Sequence, residues 1–302
     1  MKNISRRNFL EAGAGLIALT AFNAITEGNK KSPNLAFSTL GCPDWTLGQV
    51  VKCAAENGYK GFEIRGLSGE MFLPARNDFS KSNLPSTLSM IKENDLKVIN
   101  LGSSASLHFA QEDKRMSQLD EAKKYIDLAE QLDCPYIRVF PDDLPPDQPV
   151  AKTLDLIISG LVTLADYAKG SKVSVLLESH GKVVNKDMLF KIMSEANHPK
   201  TGLIWDFFNM WIVTGEAPKE VFATLEKFIR HVHIKDARIV DGKPAYCLIG
   251  NGVAPLKEAM DSLKNANYKG YYSFEWEKKW HPEIQGPEIA FPHFAREIIT
   301  YL

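Results

Sequence analysis

From about residue 33 the chain alternates short β-rich runs with longer amphipathic stretches, and no feature constrains its fold more. The β-rich runs are 35–40, 61–65, 97–101, 136–140, 173–178, 202–206, 229–234 and 271–276. Each is short, apolar and rich in Val, Ile, Phe or Tyr. The segments between them keep a helical period: Leu47, Val50, Val51 and Ala54 in one, Leu119, Ala122, Ile126, Ala129 and Leu132 in another. Leu154, Ile157, Ile158, Leu161, Leu164 and Ala168 repeat the pattern. Strand–helix alternation implies parallel strands joined by helical crossovers. Eight such units in ~270 residues predict an α/β fold, a single (β/α)8 TIM barrel. A doubly wound open sheet competes, but it uses fewer strands and a Gly-rich first turn, and no such turn follows Leu40.

Residues 1–31 read as a separate segment. Arg6-Arg7 followed by Phe9-Leu10, then a short small-apolar stretch, predicts a twin-arginine-type export signal and linker. The apolar stretch is short for a membrane span, with an N-terminal anchor as the alternative. The mature protein is thus expected in the periplasm, with residues 32–302 forming the catalytic domain. Cys42, Cys53, Cys134 and Cys247 have no framework spacing and read as packing residues.

Composition narrows the function. The chain has 36 Lys and Arg against 37 Asp and Glu, a net charge of −1. An even balance gives no electrostatic footprint for nucleic acid. No membrane partner is expected for the mature domain, while a homo-oligomer is left open.

The last four β-rich runs close on ionisable residues: Glu178, Asp206, His233 and Glu275. The spacings 178 to 206 and 206 to 233 approach the ~31 residues that one unit of a ~250-residue barrel occupies. Ionisable groups rarely adjoin core strands unless paired or bound to a metal. Three carboxylates around one site repel each other unless a cation neutralises them. One imidazole and three carboxylates suit one divalent ion, Mn²⁺ first, with Mg²⁺, Co²⁺ or Zn²⁺ as alternatives. His231 shares the parity of His233 but lies deeper, so His233 is taken as the ligand. Glu275 is chosen over Glu277 because its strand position matches that of Glu178.

Other polar and aromatic residues cluster near strand ends. Arg65 and Arg138 follow or end the second and fourth runs and could bind substrate oxygens, or pair with Glu63 and Asp142. Trp45 and Trp276 are candidate walls of a ligand pocket. His281 sits in the last of three long loops, 66–83, 141–149 and 278–292, which in a barrel lie on the C-terminal face.

At these residues the chain resembles the xylose-isomerase-like superfamily of metal-dependent sugar isomerases and epimerases. The resemblance is carried by Gly58-Tyr-Lys-Gly-Phe-Glu63-Ile-Arg65, Leu-Glu178-Ser-His180, Trp-Asp206, His231-Val-His233-Ile-Lys235-Asp236 and Phe-Glu275-Trp-Glu277. It implies that Glu178, Asp206, His233 and Glu275 hold the metal. It also implies a carbohydrate substrate, with Glu178 and Glu275 taking and returning the α-proton of a keto-sugar or related polyol. His180 would contact a substrate hydroxyl. Other members eliminate water or an alcohol after the same step, and Lys235, His180 or His281 could then supply the acid. The ketose 3-epimerase branch carries a second glutamate where this chain has Val184, and a histidine where it has Asn209. Apurinic endonucleases share the barrel but need many more histidines than the seven present here. A non-catalytic sugar-binding barrel is a further alternative, opposed by the complete ligand set.

Overall fold

A computed structural model describes residues 32–302. The export signal expected at 1–31 lies outside the described residues. Eight parallel strands close into a barrel. In chain order they begin with β1 (Leu35–Ser38), β2 (Gly61–Ile64), β3 (Lys97–Ser106) and β4 (Tyr136–Phe140). β5 (Ser174–Glu178), β6 (Thr201–Asp206) and β7 (Ile229–Ile234) follow. After β7 comes an antiparallel hairpin, β8 (Asp236–Val240) and β9 (Lys243–Cys247), and then the closing strand β10 (Tyr272–Phe274). β1 pairs with both β2 and β10, so the barrel has no free edge.

Helices fill the crossovers: α1 (Leu47–Glu56), α2 (Leu84–Glu93), α3 (Glu112–Gln131), α4 (Val150–Tyr167) and α5 (Lys186–Ala196). α6 (Phe207–Thr214), α7 (Pro218–Leu225) and α8 (Leu256–Asn265) complete them, and α9 (Pro287–Glu297) follows the last strand. Local chemistry sets their ends. Thr46 and Gln49 form a reciprocal capping box that starts α1. The apolar stripe of α1 (Leu47, Val50, Val51, Ala54) is buried against the barrel. Such stripes and the outward residues of the strands form one core, which includes Phe37, Phe62, Ile64, Val232 and Phe274. All four cysteines are free, and Cys42 and Cys134 are buried in keeping with packing roles.

Every expected strand lies on an observed one, but some boundaries move. β3 runs on to Ser106 because, after a register shift, that residue pairs with Phe140 of β4. The last loop is shorter than 278–292, since α9 begins at Pro287. Proline is favoured at a first helical position, where its missing N–H costs nothing. The β8–β9 hairpin was not anticipated. Among the described residues no helix is long and apolar enough to cross a membrane.

Candidate active site

The polar residues gather at the C-terminal mouth of the barrel. Glu178 ends β5, Asp206 ends β6, and His233 lies on β7. Glu275 directly follows β10, and its backbone N–H extends the ladder to the Ile234 carbonyl at 3.0 Å. Ladder pairing sets Asp206 and Ser273 beside His233. One ligand atom from each of Glu178, Asp206, His233 and Glu275 lies within 4.8 Å of the others, and all four residues are buried.

The imidazole of His233 is fixed at both nitrogens. Nδ1 is 2.8 Å from Glu178 Oε1 and 3.3 Å from Glu275 Oε1, while Nε2 is 3.1 Å from Glu63 Oε2. A carboxylate on the far nitrogen is the usual support of a ligating histidine and leaves Nδ1 as the atom that would meet a bound ion. Glu63 also takes His231 Nε2 at 3.0 Å, Asn100 Nδ2 at 2.7 Å and the Ser273 hydroxyl. Burial would raise the Glu63 carboxyl, but the two imidazoles outweigh it and hold Glu63 well below its ordinary range. His231 thus lies one layer down, on Glu63.

Two cations flank the set. Arg138 Nη1 is 3.0 Å from Glu178 Oε2 and 3.6 Å from Glu275 Oε1. Its Nη2 donates to the Ser103 carbonyl, and the guanidinium lies 4.1 Å over Phe140. Lys235 Nζ is 2.6 Å from Glu275 Oε2, 2.6 Å from Glu277 Oε1 and 2.8 Å from Asp206 Oδ2. Burial works against the Lys235 charge, yet the three carboxylates hold its ammonium well above the usual range. Burial lifts Asp206 to about 6 against the pull of Lys235.

The set fits a divalent ion. Asp206 Oδ2 is buried and has no hydrogen bond of proper geometry, despite the nearby ammonium. A buried carboxylate oxygen without a donor is suited to ligation, and the three-carboxylate, one-imidazole donor set suits a hard or borderline cation.

A second polar unit borders the site. His180 Nδ1 is 2.8 Å from Asp142 Oδ1, and the Ser106 hydroxyl donates to Asp142 Oδ2. The Asp142 carbonyl accepts the N–H of Lys182 at 2.8 Å. Gly181 between them has φ +67°, and a Cβ there would lie 2.3 Å from the Asp142 carbonyl oxygen, so only glycine fits.

A cavity of about 350 Å³ brings most of the anticipated residues together: Arg65, Arg138, Glu178, His180, Lys235, Glu275 and His281 all line it. Two aromatic assignments need correction. Trp276 is fully buried, stacks on Phe274 and donates its indole N–H to the Gln285 carbonyl at 2.9 Å. Its place one residue after inward-facing Glu275 turns it outward into the core. Trp45 packs edge-on against Phe291 and does not line the cavity. Trp280, 56% exposed, is the indole at the mouth. The anticipated pairs Arg65–Glu63 and Arg138–Asp142 do not form, and Lys235 does not pair with the adjacent Asp236. Asp236 instead accepts the backbone N–H groups of Gly250, Gly252 and Ala254.

Sequence reasoning gave no role to Tyr246, Asn209 or Phe140, which also line the cavity. Tyr246 comes from the unforeseen hairpin and meets His281, ring centroids 4.9 Å apart. Glu277 was weighed only as a rival to Glu275; both contact Lys235 Nζ at 2.6 Å.

A closed parallel barrel with its polar residues at the C-terminal mouth defines the class of TIM barrels. Residues 51–293 match the xylose isomerase-like TIM barrel family, and the chain belongs to it. An inosose dehydratase of Geobacillus thermodenitrificans (strain NG80-2) is 26% identical over 155 residues, covering 46% of this chain and 49% of the relative. The match thus spans about half the length of that relative. A fructoselysine 3-epimerase of Shigella flexneri is 23% identical over 233 residues, 74% of this chain and 82% of that one. The 3-keto-D-glucoside 4-epimerase of E. coli superposes with a TM-score of 0.69 at 17% identity, covering 89% of this chain and 98% of that structure, which supports the fold. Epimerases and a dehydratase therefore surround this chain, at low identity.

Proposed function

We propose that this chain is a divalent-metal-dependent isomerase or epimerase that removes the proton α to the ketone of a keto-sugar or related polyol. The carrying observation is the buried set Glu178, Asp206, His233 and Glu275, converging within 4.8 Å at the barrel mouth. A bound ion, Mn²⁺ first, would stabilise negative charge developing on neighbouring substrate oxygens. Glu178 and Glu275 come from β5 and from the end of β10, strands separated in the barrel by β6 and β7. They are the residues assigned to take and return the proton. Arg138 steadies both through its 3.0 and 3.6 Å contacts. Lys235, held by three carboxylates, keeps a positive charge beside the reacting oxygens. Tyr246, Trp280 and His281 restrict water at the mouth.

A second reading, elimination by the same α-deprotonation, is favoured by the Asp142–His180 pair. It sets an imidazole that is not one of the four ligands on the cavity wall, suited to protonate a leaving oxygen. Val184, at the position of the epimerase branch's second glutamate, is buried and carries no proton. The substrate of that reading is a keto-inositol or 3-keto-glycoside. The twin-arginine pattern makes the periplasm the proposed site of action.

The test is NMR in D₂O with Mn²⁺-reconstituted, then Mg²⁺-exchanged protein and a panel of ketoses, inososes and 3-keto-glycosides. Deuterium at an α-carbon with a rearranged sugar supports the isomerase. An enone or a released aglycone supports elimination. No exchange with any panel member by metal-loaded protein would refute α-deprotonation of these classes.

A further inference from the structure

Arg65 is a buried cation with no carboxylate of its own. It is 7% exposed, it lines the cavity, and no Asp or Glu oxygen among the described residues lies within 4.0 Å of its nitrogens. Its two hydrogen bonds go to neutral acceptors: Nη1 to the Gly102 carbonyl at 3.4 Å and Nη2 to the Ser104 hydroxyl at 2.9 Å. Glu121 and Glu178 act on it only at longer range. Every other cation of the site is paired: Arg138 with Glu178, Lys235 with Asp206, Glu275 and Glu277.

The placement is built. A Cβ at Gly102 would lie 2.7 Å from Arg65 Cδ and 3.2 Å from Arg138 Nη2, so the two arginines cross the same glycine. That crossing packs a second positive charge against the first, which is unfavourable by itself. Burial, with Arg138 second, draws the Arg65 guanidinium down to about 10, and it remains charged at neutral pH. A buried unpaired charge is costly, and the protein keeps this one beside its candidate catalytic groups. The missing partner is then a ligand group. Two of its five N–H donors are directed to protein acceptors, which leaves three for the oxygens of a ligand.

We propose that the substrate is an acidic keto-sugar whose carboxylate is held by Arg65 while its ketone end meets the four-residue set. This rests on the α-deprotonation reading for what happens at the ketone, but not for the binding of the carboxylate. The class follows from the charge pattern: neutral ketoses leave Arg65 unmatched.

Titration calorimetry on metal-loaded protein would compare D-fructose, D-fructuronate and D-fructose 6-phosphate. D-Fructuronate differs from D-fructose only in a carboxylate that replaces the terminal alcohol. It should bind roughly ten- to a hundredfold more tightly, the range of a charge-assisted bidentate contact. Arg65→Gln should erase most of that preference, and Arg65→Lys, which keeps charge without the fork, should retain part. Melting curves and metal content would report whether the variants fold and load. The wild-type comparison needs no variant. Equal binding of acid and neutral sugar, or a preference unmoved by Arg65→Gln in folded protein, overturns the proposal. A preference for the phosphate overturns its carboxylate part. Arg65-dependent binding of the acid without α-proton exchange supports it while refuting α-deprotonation of that sugar.

Discussion

Glu63 gives the most discriminating perturbation. It accepts four hydrogen bonds, from both imidazoles, Asn100 and Ser273, and does not line the cavity. Glu63→Gln keeps the shape but replaces one acceptor oxygen by an NH₂ group. That group faces donors, so at least one imidazole N–H loses its acceptor. A lost hydrogen bond to a charged acceptor costs about 1.5–3 kcal/mol. For a domain of this size the melt should fall by roughly 3–10 °C. Metal affinity should fall separately, because a neutral amide, even with its oxygen toward His233, fixes the ring and tautomer less well than the carboxylate, an effect of about 10–100-fold at comparable sites. The assay is Mn²⁺ competition against a fluorescent chelator, beside melts with and without metal. Glu277→Gln is the control: it is another buried carboxylate beside the site, but it supports Lys235, not the imidazole. A lowered melt with a Kd for Mn²⁺ within twofold of wild type would refute the supporting role and leave Glu63 a purely structural acid.

Three further outcomes are expected. Chelation should abolish α-proton exchange and lower the melting temperature, since an ion bound only by the folded chain stabilises it; an unchanged melt and full turnover in chelator would defeat the metal assignment. His233→Ala should lose Mn²⁺ and His231→Ala should only weaken it, measured as metal per protein after dialysis; equal occupancy contradicts the two-layer arrangement. Burial opposes both charges of the Asp142–His180 pair, but mutual hydrogen bonding wins, raising His180 and lowering Asp142. The His180 term is complete below its unfolded value of about 6.5 and fades as pH rises through the folded one, while the Asp142 term is present above about 3.9 and fades as pH falls. Asp142→Asn should therefore lower the melting temperature more at pH 5.5 than at pH 8.5, and equal losses would show that the pair is not ionised.

The barrel was legible because its strands are short apolar runs separated by amphipathic stretches, and parallel pairing follows from the helices between them. The ligand set was legible because inward strand ends repeat once per unit. Parity placed His231 beneath His233, and the structure adds what parity could not: the Glu63 carboxylate that joins them. Glu63 lies on β2, far from β7 in sequence, and only closure of the barrel through β10 and β1 brings the two together. Parity also misled where it went unused: Trp276 follows an inward residue and had to face the core. The β8–β9 hairpin escaped notice because its residues are largely exposed or half-buried and leave little apolar pattern. With it went Tyr246.

Charge accounting ties the site together. Five buried carboxylates (Glu63, Glu178, Asp206, Glu275 and Glu277) meet three permanent cations (Arg65, Arg138 and Lys235). With neutral imidazoles the cluster carries two negative charges in excess. Protons can neutralise it: the carboxylates around His233 oppose the effect of its burial and drive its imidazole well above the ordinary range. One divalent ion at Nδ1 can do the same without them, and the two solutions exclude each other on that nitrogen. A substrate carboxylate on Arg65 would add a negative charge to the cluster and tighten the demand for the ion. Acid and metal should then bind with positive coupling. That links the unpaired arginine to the four converging ligands, although no side chain connects Arg65 directly to His233.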